Sequence, residues 1–202
     1  MGRFDLSKGD RFNLAKSAGL ENIEVELGWG PGADLDASAF LLNDEGMIGD
    51  DADFVFYGSE NREKPFSRDE FGNKNNWKKQ TAPMSADGSV KGSIDDRGGS
   101  SSNSETMYVD LTKVGGKVVE IAFCCTVFDE GKTFGDVVAP YISIVNGDTG
   151  DELCRYDLKE NFSTQTAVVA GSLICDENGE WNFEAQGKAY DGGLQALIDI
   201  YA

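Results

Sequence analysis

Asp34 and Asp36 stand two residues apart in the stretch Asp34-Leu35-Asp36-Ala37-Ser38-Ala39-Phe40-Leu41-Leu42. On an extended backbone side chains alternate with period two, so acids at i and i+2 point to one side and can grip one cation. Three further places offer oxygen ligands: Asp50-Asp51-Ala52-Asp53, the stretch from Ser93 to Glu105 that carries Asp95 and Asp96, and Asp129-Glu130. Calcium takes about six to eight oxygens, which several loops together must supply, and a Gly/Ser/Asn-rich loop adds carbonyls and amides to its carboxylates. The Ser93–Glu105 stretch has that composition. An EF-hand does not account for these acids. Asp34, Asp36, Ser38 and Glu45 fall on its first, third, fifth and twelfth positions, but Ala39 stands where the loop requires glycine and Phe40-Leu41-Leu42 has strand character. A solvated acidic face would use the same residues without any metal.

The rest of the composition narrows the chemistry. The 202 residues carry 18 Lys+Arg against 36 Asp+Glu, a formal net charge of −18, which repels phosphate backbones and excludes nucleic acid as a partner. With no histidine in the chain, Ser-His-Asp triads, Cys-His pairs and the usual catalytic zinc sites are removed together. Paired carboxylates also serve glycoside hydrolysis, yet nothing in their spacing sets a general acid apart from a nucleophile, and the expectation is a non-enzymatic protein. Cys124, Cys125, Cys154 and Cys175 show no C-x-x-C spacing and read as small buried hydrophobes. Met1 to Lys8 lacks the apolar core of a signal peptide, and no run is long enough to be a transmembrane segment. A cytoplasmic protein is expected.

The elements that would position these acids are short apolar runs separated by glycine and Asx turns, the pattern of an all-β, antiparallel β-sandwich in one domain over residues 1–202. Ile23 to Trp29 alternates. Phe54 to Tyr57, Met107 to Leu111, Tyr141 to Val145, Leu153 to Leu158, Val168 to Ile174 and Trp181 to Ala185 read as further strands. Val118 to Val127 is apolar on both faces, as befits a central strand. Asn178-Gly179 marks a tight hairpin turn. Leu194, Leu197, Ile198 and Tyr201 recur at helical spacing and predict a short C-terminal helix. Residues 62–91 hold seven basic and four acidic residues, net +3, and read as a long inserted loop. Its Phe66, Phe71 and Trp77 either pin it to its own domain or dock a partner.

Ordered blocks along most of the chain resemble the TerD family, the calcium-binding tellurite-resistance and general stress proteins of bacteria. They include Leu6-Ser7-Lys8-Gly9, Leu27-Gly28-Trp29, Asp34 to Leu42, Asp51 to Tyr57, Asp95-Asp96-Arg97, Arg155-Tyr156-Asp157-Leu158, Asn178-Gly179-Glu180-Trp181 and Tyr190-Asp191-Gly192-Gly193-Leu194. The resemblance implies a β-sandwich whose calcium is held by the Asp-Leu-Asp segment and a second acidic loop. Carried over position by position, the metal ligands are Asp34, Asp36, Asp95, Asp96 and Glu105. It also implies other proteins of the same stress system as partners. The family's second loop resembles G-D-N-x-T-G-x-G-x-G-D-D-E. Here Ile94 stands for its first glycine, Asp96 for the asparagine and Ser100 to Ser104 for the Asp/Gly run, one residue shorter. Fewer carboxylates weaken a calcium site, so a metal-free interaction or scaffold module on the same fold is the alternative.

Overall fold

The computed structural model describes residues 2–14, 20–31, 33–94, 103–158 and 162–202. In chain order the elements are β1 (Phe4–Leu6), β2 (Arg11–Asn13), β3 (Asn22–Trp29), β4 (Leu35–Leu42), β5 (Phe54–Val55), α1 (Arg68–Phe71), α2 (Lys74–Gln80), β6 (Val90–Gly92), β7 (Asn103–Asp110), β8 (Glu120–Val127), β9 (Tyr141–Asn146), β10 (Glu152–Asp157), β11 (Ala167–Cys175), β12 (Trp181–Tyr190) and α3 (Gly193–Tyr201). Two six-stranded sheets form, in the orders β1-β10-β9-β3-β7-β6 and β2-β12-β11-β8-β4-β5. Among the described residues every neighbouring pair of strands is antiparallel except β1 with β10. The sandwich with a C-terminal helix expected from the sequence is what forms.

The period-two alternation sends Val25, Leu27 and Ile144 of the first sheet against Leu41, Phe123, Leu173 and Phe183 of the second, all buried. Strand β8 is central, as its unbroken apolar run predicts. Ile121, Phe123 and Cys125 face the other sheet, while Ala122 and Cys124 face outward under α3. There Phe40, Leu42, Phe54 and Val169 receive Leu197, with Leu194, Ile198 and Tyr201 packed around them. The four thiols are free. Burial pushes the Cys124 and Cys125 thiols well up, so they stay protonated and inert. Two edges are closed by the chain's first strands, β1 bordering β10 and β2 bordering β12. Both are three residues long and carry no pattern of their own.

The β11–β12 hairpin turns at Asn178-Gly179, where Gly179 alone takes a positive φ, of 81°. Asp176 Oδ1 accepts from the N–H groups of Asn178 and Glu180, both at 2.9 Å, so an Asx-stabilised turn forms instead of the two-residue type that the dipeptide favours. The insert also departs from a loop. Ser67 caps α1 and Asn73 caps α2 through side-chain oxygens, as such residues do at helix starts, and Gly72 at φ 74° separates the two. Helices of four and seven residues are too short for periodicity to declare them. Phe71 and Trp77 are buried, and Trp77 Nε1 donates to Lys64 O at 2.8 Å. Trp77 meets Lys64, Phe66 and Arg62, all within the insert, and Phe66 itself stays 40% exposed.

Gly28 in β3 has a packing reason. A Cβ there would lie 2.2 Å from Tyr141 Cζ, because the ring of Tyr141 lies across the strand. Its hydroxyl donates to Glu26 Oε1 at 2.7 Å, and the Arg155 guanidinium carbon sits 3.3 Å from its ring centroid. Burial and the bond to Glu26 push the phenol up to about 12. Gly28→Ala is expected to expel the ring at a cost of about 1–2 kcal/mol. It should also return the Tyr141 titration toward the ordinary tyrosine range in alkaline difference spectra. An unchanged titration would mean that the ring does not lie there.

Candidate functional site

Strand β4 begins at Leu35, so Asp34 sits one residue ahead of it and is exposed. Its backbone is fixed at both ends: the N–H donates to Asp129 Oδ2 at 3.1 Å, and the carbonyl accepts from Phe128 N at 2.9 Å. Within β4, Leu35, Ala37, Ala39 and Leu41 face the inter-sheet core. Alternation therefore puts Asp36, Ser38, Phe40 and Leu42 on the outer face. Asp36 is half-buried opposite Thr126 of β8. The Ser38 hydroxyl is buried with no hydrogen-bond partner among the described residues.

Glu105 arrives from the other sheet. It lies on β7 opposite Leu27 of β3, on the face that carries Met107 and Val109 into the core. Its Oε2 accepts the Ala37 N–H at 2.6 Å. That N–H is available because β5 pairs with Ala39 and Phe40 of β4, leaving the start of the strand without a neighbouring strand on that side among the described residues. The structure thus brings Glu105 to the backbone between Asp36 and Ser38. Asp95 and Asp96 lie outside the described residues. The chain leaves them at Ile94, just after Ser93 N donates to Thr106 O at 2.8 Å, and returns at Asn103, two positions before Glu105. Among the described residues no three carboxylates or thiols group as a metal-holding set. Glu105 approaches β4 from the core side while Asp36 and Ser38 face outward, so the described residues do not bring these side chains together. In chemical type Asp34, Asp36, Glu105 and the Ser38 hydroxyl all offer oxygen, the donor that suits a hard cation.

The other acidic candidates have structural work. Asp50 accepts Ala52 N at 2.9 Å and caps the helical turn Asp51–Asp53. Asp129 pairs with Lys132 Nζ at 3.0 Å, and that bond, helped by the Asp34 N–H, holds its carboxyl below the usual range. Its link to Asp34 follows from the pairing of Leu35 with Val127, which residue spacing does not disclose. Of the residues that composition overlooks, Ser38 carries the strongest signal, sitting two positions from Asp36 on the same face.

Two six-stranded, mainly antiparallel sheets, a helix clasped to one outer face and an all-oxygen acidic end define an acidic β-sandwich protein with a candidate cation site at one end. The chain belongs to the TerD family: the TerD domain matches residues 3–201. It is 39% identical over 207 residues to the tellurium resistance protein TerD of Alcaligenes sp., covering 97% of this chain and 95% of that one. It is 36% identical over 208 residues to general stress protein 16U of Bacillus subtilis (strain 168), covering 97% and 95%. A crystal structure of a homologue of telluride resistance protein TerD from Streptomyces coelicolor A3(2) superposes with a TM-score of 0.61 at 18% identity, over 89% of this chain and 96% of that one. At that identity the likeness speaks for the fold. Among the described residues no helix is long and apolar enough to cross a membrane.

Proposed function

We propose that the protein is a calcium-binding, non-enzymatic stress-response module of the cytoplasm that works beside other proteins of the same stress system. Its relatives are named for tellurium resistance and general stress, which supports the stress role. The observation that carries the calcium reading is the bond from Ala37 N–H to Glu105, which joins a carboxylate of one sheet to the Asp34–Ser38 segment of the other. Asp34, Asp36 and Glu105 would hold the ion, with Asp95 and Asp96 completing the set that the family resemblance implies. When bound, calcium would supply positive charge that relieves the repulsion of these acids and ties the two sheets at that end.

A ligand that binds only the folded state stabilises it by about 1.4 kcal/mol at ten times its Kd, roughly 3–5 °C in melting temperature for a chain of this size. Calcium added after chelation is expected to raise the melting temperature by that order, and magnesium by less. Asp34→Asn and Asp36→Asn should abolish the shift and Asp129→Asn should leave it. No shift in the chelated, refilled protein would mean that the site is lost, and loss in Asp129→Asn alone would mean that it lies elsewhere.

A second reading, a metal-free interaction module, is favoured by Phe128 and Val138, which stay 51% and 53% exposed at the same end. Apolar side chains held in water beside an acidic rim suit a protein partner. Saturable calcium binding at physiological salt separates the two.

A further inference from the structure

Strands β6, β7 and β3 lie side by side in the first sheet, and their register sets Lys91 opposite Tyr108 and Tyr108 opposite Glu24. Val90, Met107, Val109, Ile23 and Val25 turn into the core, so alternation puts these three side chains in one row on the outer face. A cavity of about 360 Å³ lies over the row, bordered by Glu63 and Met84 of the insert, and its size falls within the range of small-molecule sites.

Most polar groups of the lining are already engaged. Lys113 pairs with Asp110 at 2.7 Å, and Asp110 Oδ1 also accepts the Thr112 N–H at 3.1 Å. Glu63 accepts the Ala82 N–H at 3.2 Å and faces Lys91 Nζ at 3.7 Å. Lys91 also lies over the Tyr108 ring, 5.7 Å from its centroid. Two groups are left. Among the described residues the half-buried Glu24 carboxylate and the Tyr108 hydroxyl have no hydrogen-bond or ion-pair partner, and Tyr108 is 41% exposed.

Their chemistry selects the ligand. Lys91 already uses the attraction of the ring for cations and repels a second cation, while Glu24 repels an anion. A free carboxylate beside an aromatic surface suits a neutral molecule that donates hydrogen bonds from one edge and offers an apolar C–H face. A pyranose has both, because its hydroxyls radiate around the ring while its C–H groups gather on the faces. We infer that this cavity binds a neutral pyranose sugar, stacked on Tyr108 with its hydroxyls donating to Glu24. The inference does not rest on the calcium reading, since the Tyr108–Glu24 pair lies three residues along the strands from the pair of Glu105 with Leu27.

The test is saturation-transfer NMR on the full chain, in chelator, with D-glucose, D-galactose, D-mannose and N-acetyl-D-glucosamine, and with choline and adenosine as cationic and flat aromatic probes. About twelve heavy atoms support a Kd on the order of a few mM. Saturable binding of at least one sugar is expected, and its Kd should stay within about twofold as NaCl rises from about 0.05 to 0.5 M, because no ion pair is formed. Tyr108→Thr keeps a strand-forming residue and should weaken binding about tenfold or more, by loss of the stacking surface. Glu24→Gln keeps the shape, removes the charged acceptor and should weaken it about threefold or more. Both variants change the outer face and should melt as the parent does. The absence of saturable sugar binding, unchanged binding in both folded variants, or tighter binding of choline or adenosine than of every sugar overturns the inference. Because all of this is measured without calcium, and the Asp34→Asn melting shift without sugar, failure of one leaves the other standing.

Discussion

Arg62→Met is expected to cost about 3 kcal/mol or more, chiefly by loosening residues 57–83. Arg62 is only 6% exposed and has no ion-pair partner among the described residues. Its guanidinium instead bonds backbone: Nη1 to Tyr57 O and Ser59 O at 3.0 and 3.1 Å, Nη2 to Lys78 O and Thr81 O at 2.7 and 2.5 Å, and Nε to Thr81 Oγ1 at 2.9 Å. It also lies over the Trp77 ring, 5.9 Å from the centroid. Burial draws its pKa down, yet an arginine stays charged, and charge-assisted bonds are the stronger kind. Methionine fills the volume and satisfies none of these carbonyls, each of which then carries a desolvation penalty of about 1–3 kcal/mol, relieved only as far as water enters. Lysine restores the charge without the planar fork and should recover little. Urea unfolding gives the size of the loss, and limited proteolysis should cut first within 57–83. Stability within about 0.5 kcal/mol of the parent would mean that Arg62 does not organise the insert.

Phe40→Ala should cost about 3–5 kcal/mol. The side chain is fully buried on the outer face of β4, stacked on Phe54 with ring centroids 4.3 Å apart and tilted against Tyr201 at 5.0 Å. Truncation removes the platform under α3, so amide exchange in Gly193–Tyr201 should accelerate well beyond that in the inter-sheet core. Phe40→Leu, nearer in volume, should cost less than about 1.5 kcal/mol. A loss below about 1 kcal/mol in the alanine variant would mean that α3 does not depend on this face.

Strands were legible wherever burial is long enough to impose a rhythm. Ile23 to Trp29 alternates because one face of β3 is buried, and β8 is apolar throughout because it has the other sheet on one side and α3 on the other. β1, β2 and β6 span three residues each, fewer than an alternation needs, and they form because neighbouring edges accept them. In the candidate site, the oxygen chemistry of Asp34 and Asp36 could be read directly. The bond from Ala37 to Glu105 could not, since it joins positions 68 apart through the packing of two sheets. Arg62 looked like one of seven basic residues, because charge counting does not distinguish a guanidinium in solvent from one that ties a loop together.

The opening strands β1 and β2 border different sheets, β1 beside β10 and β2 beside β12. The first thirteen residues thus wait for partners that begin at Glu152 and Trp181. During synthesis the first edge can close only once Asp157 has emerged and the second only once Trp181 and its neighbours have, and pairings of such sequence separation are slow because loop closure precedes their reward. Both sheet edges are therefore closed late, an interval in which the high negative charge of the chain opposes association between unfinished copies.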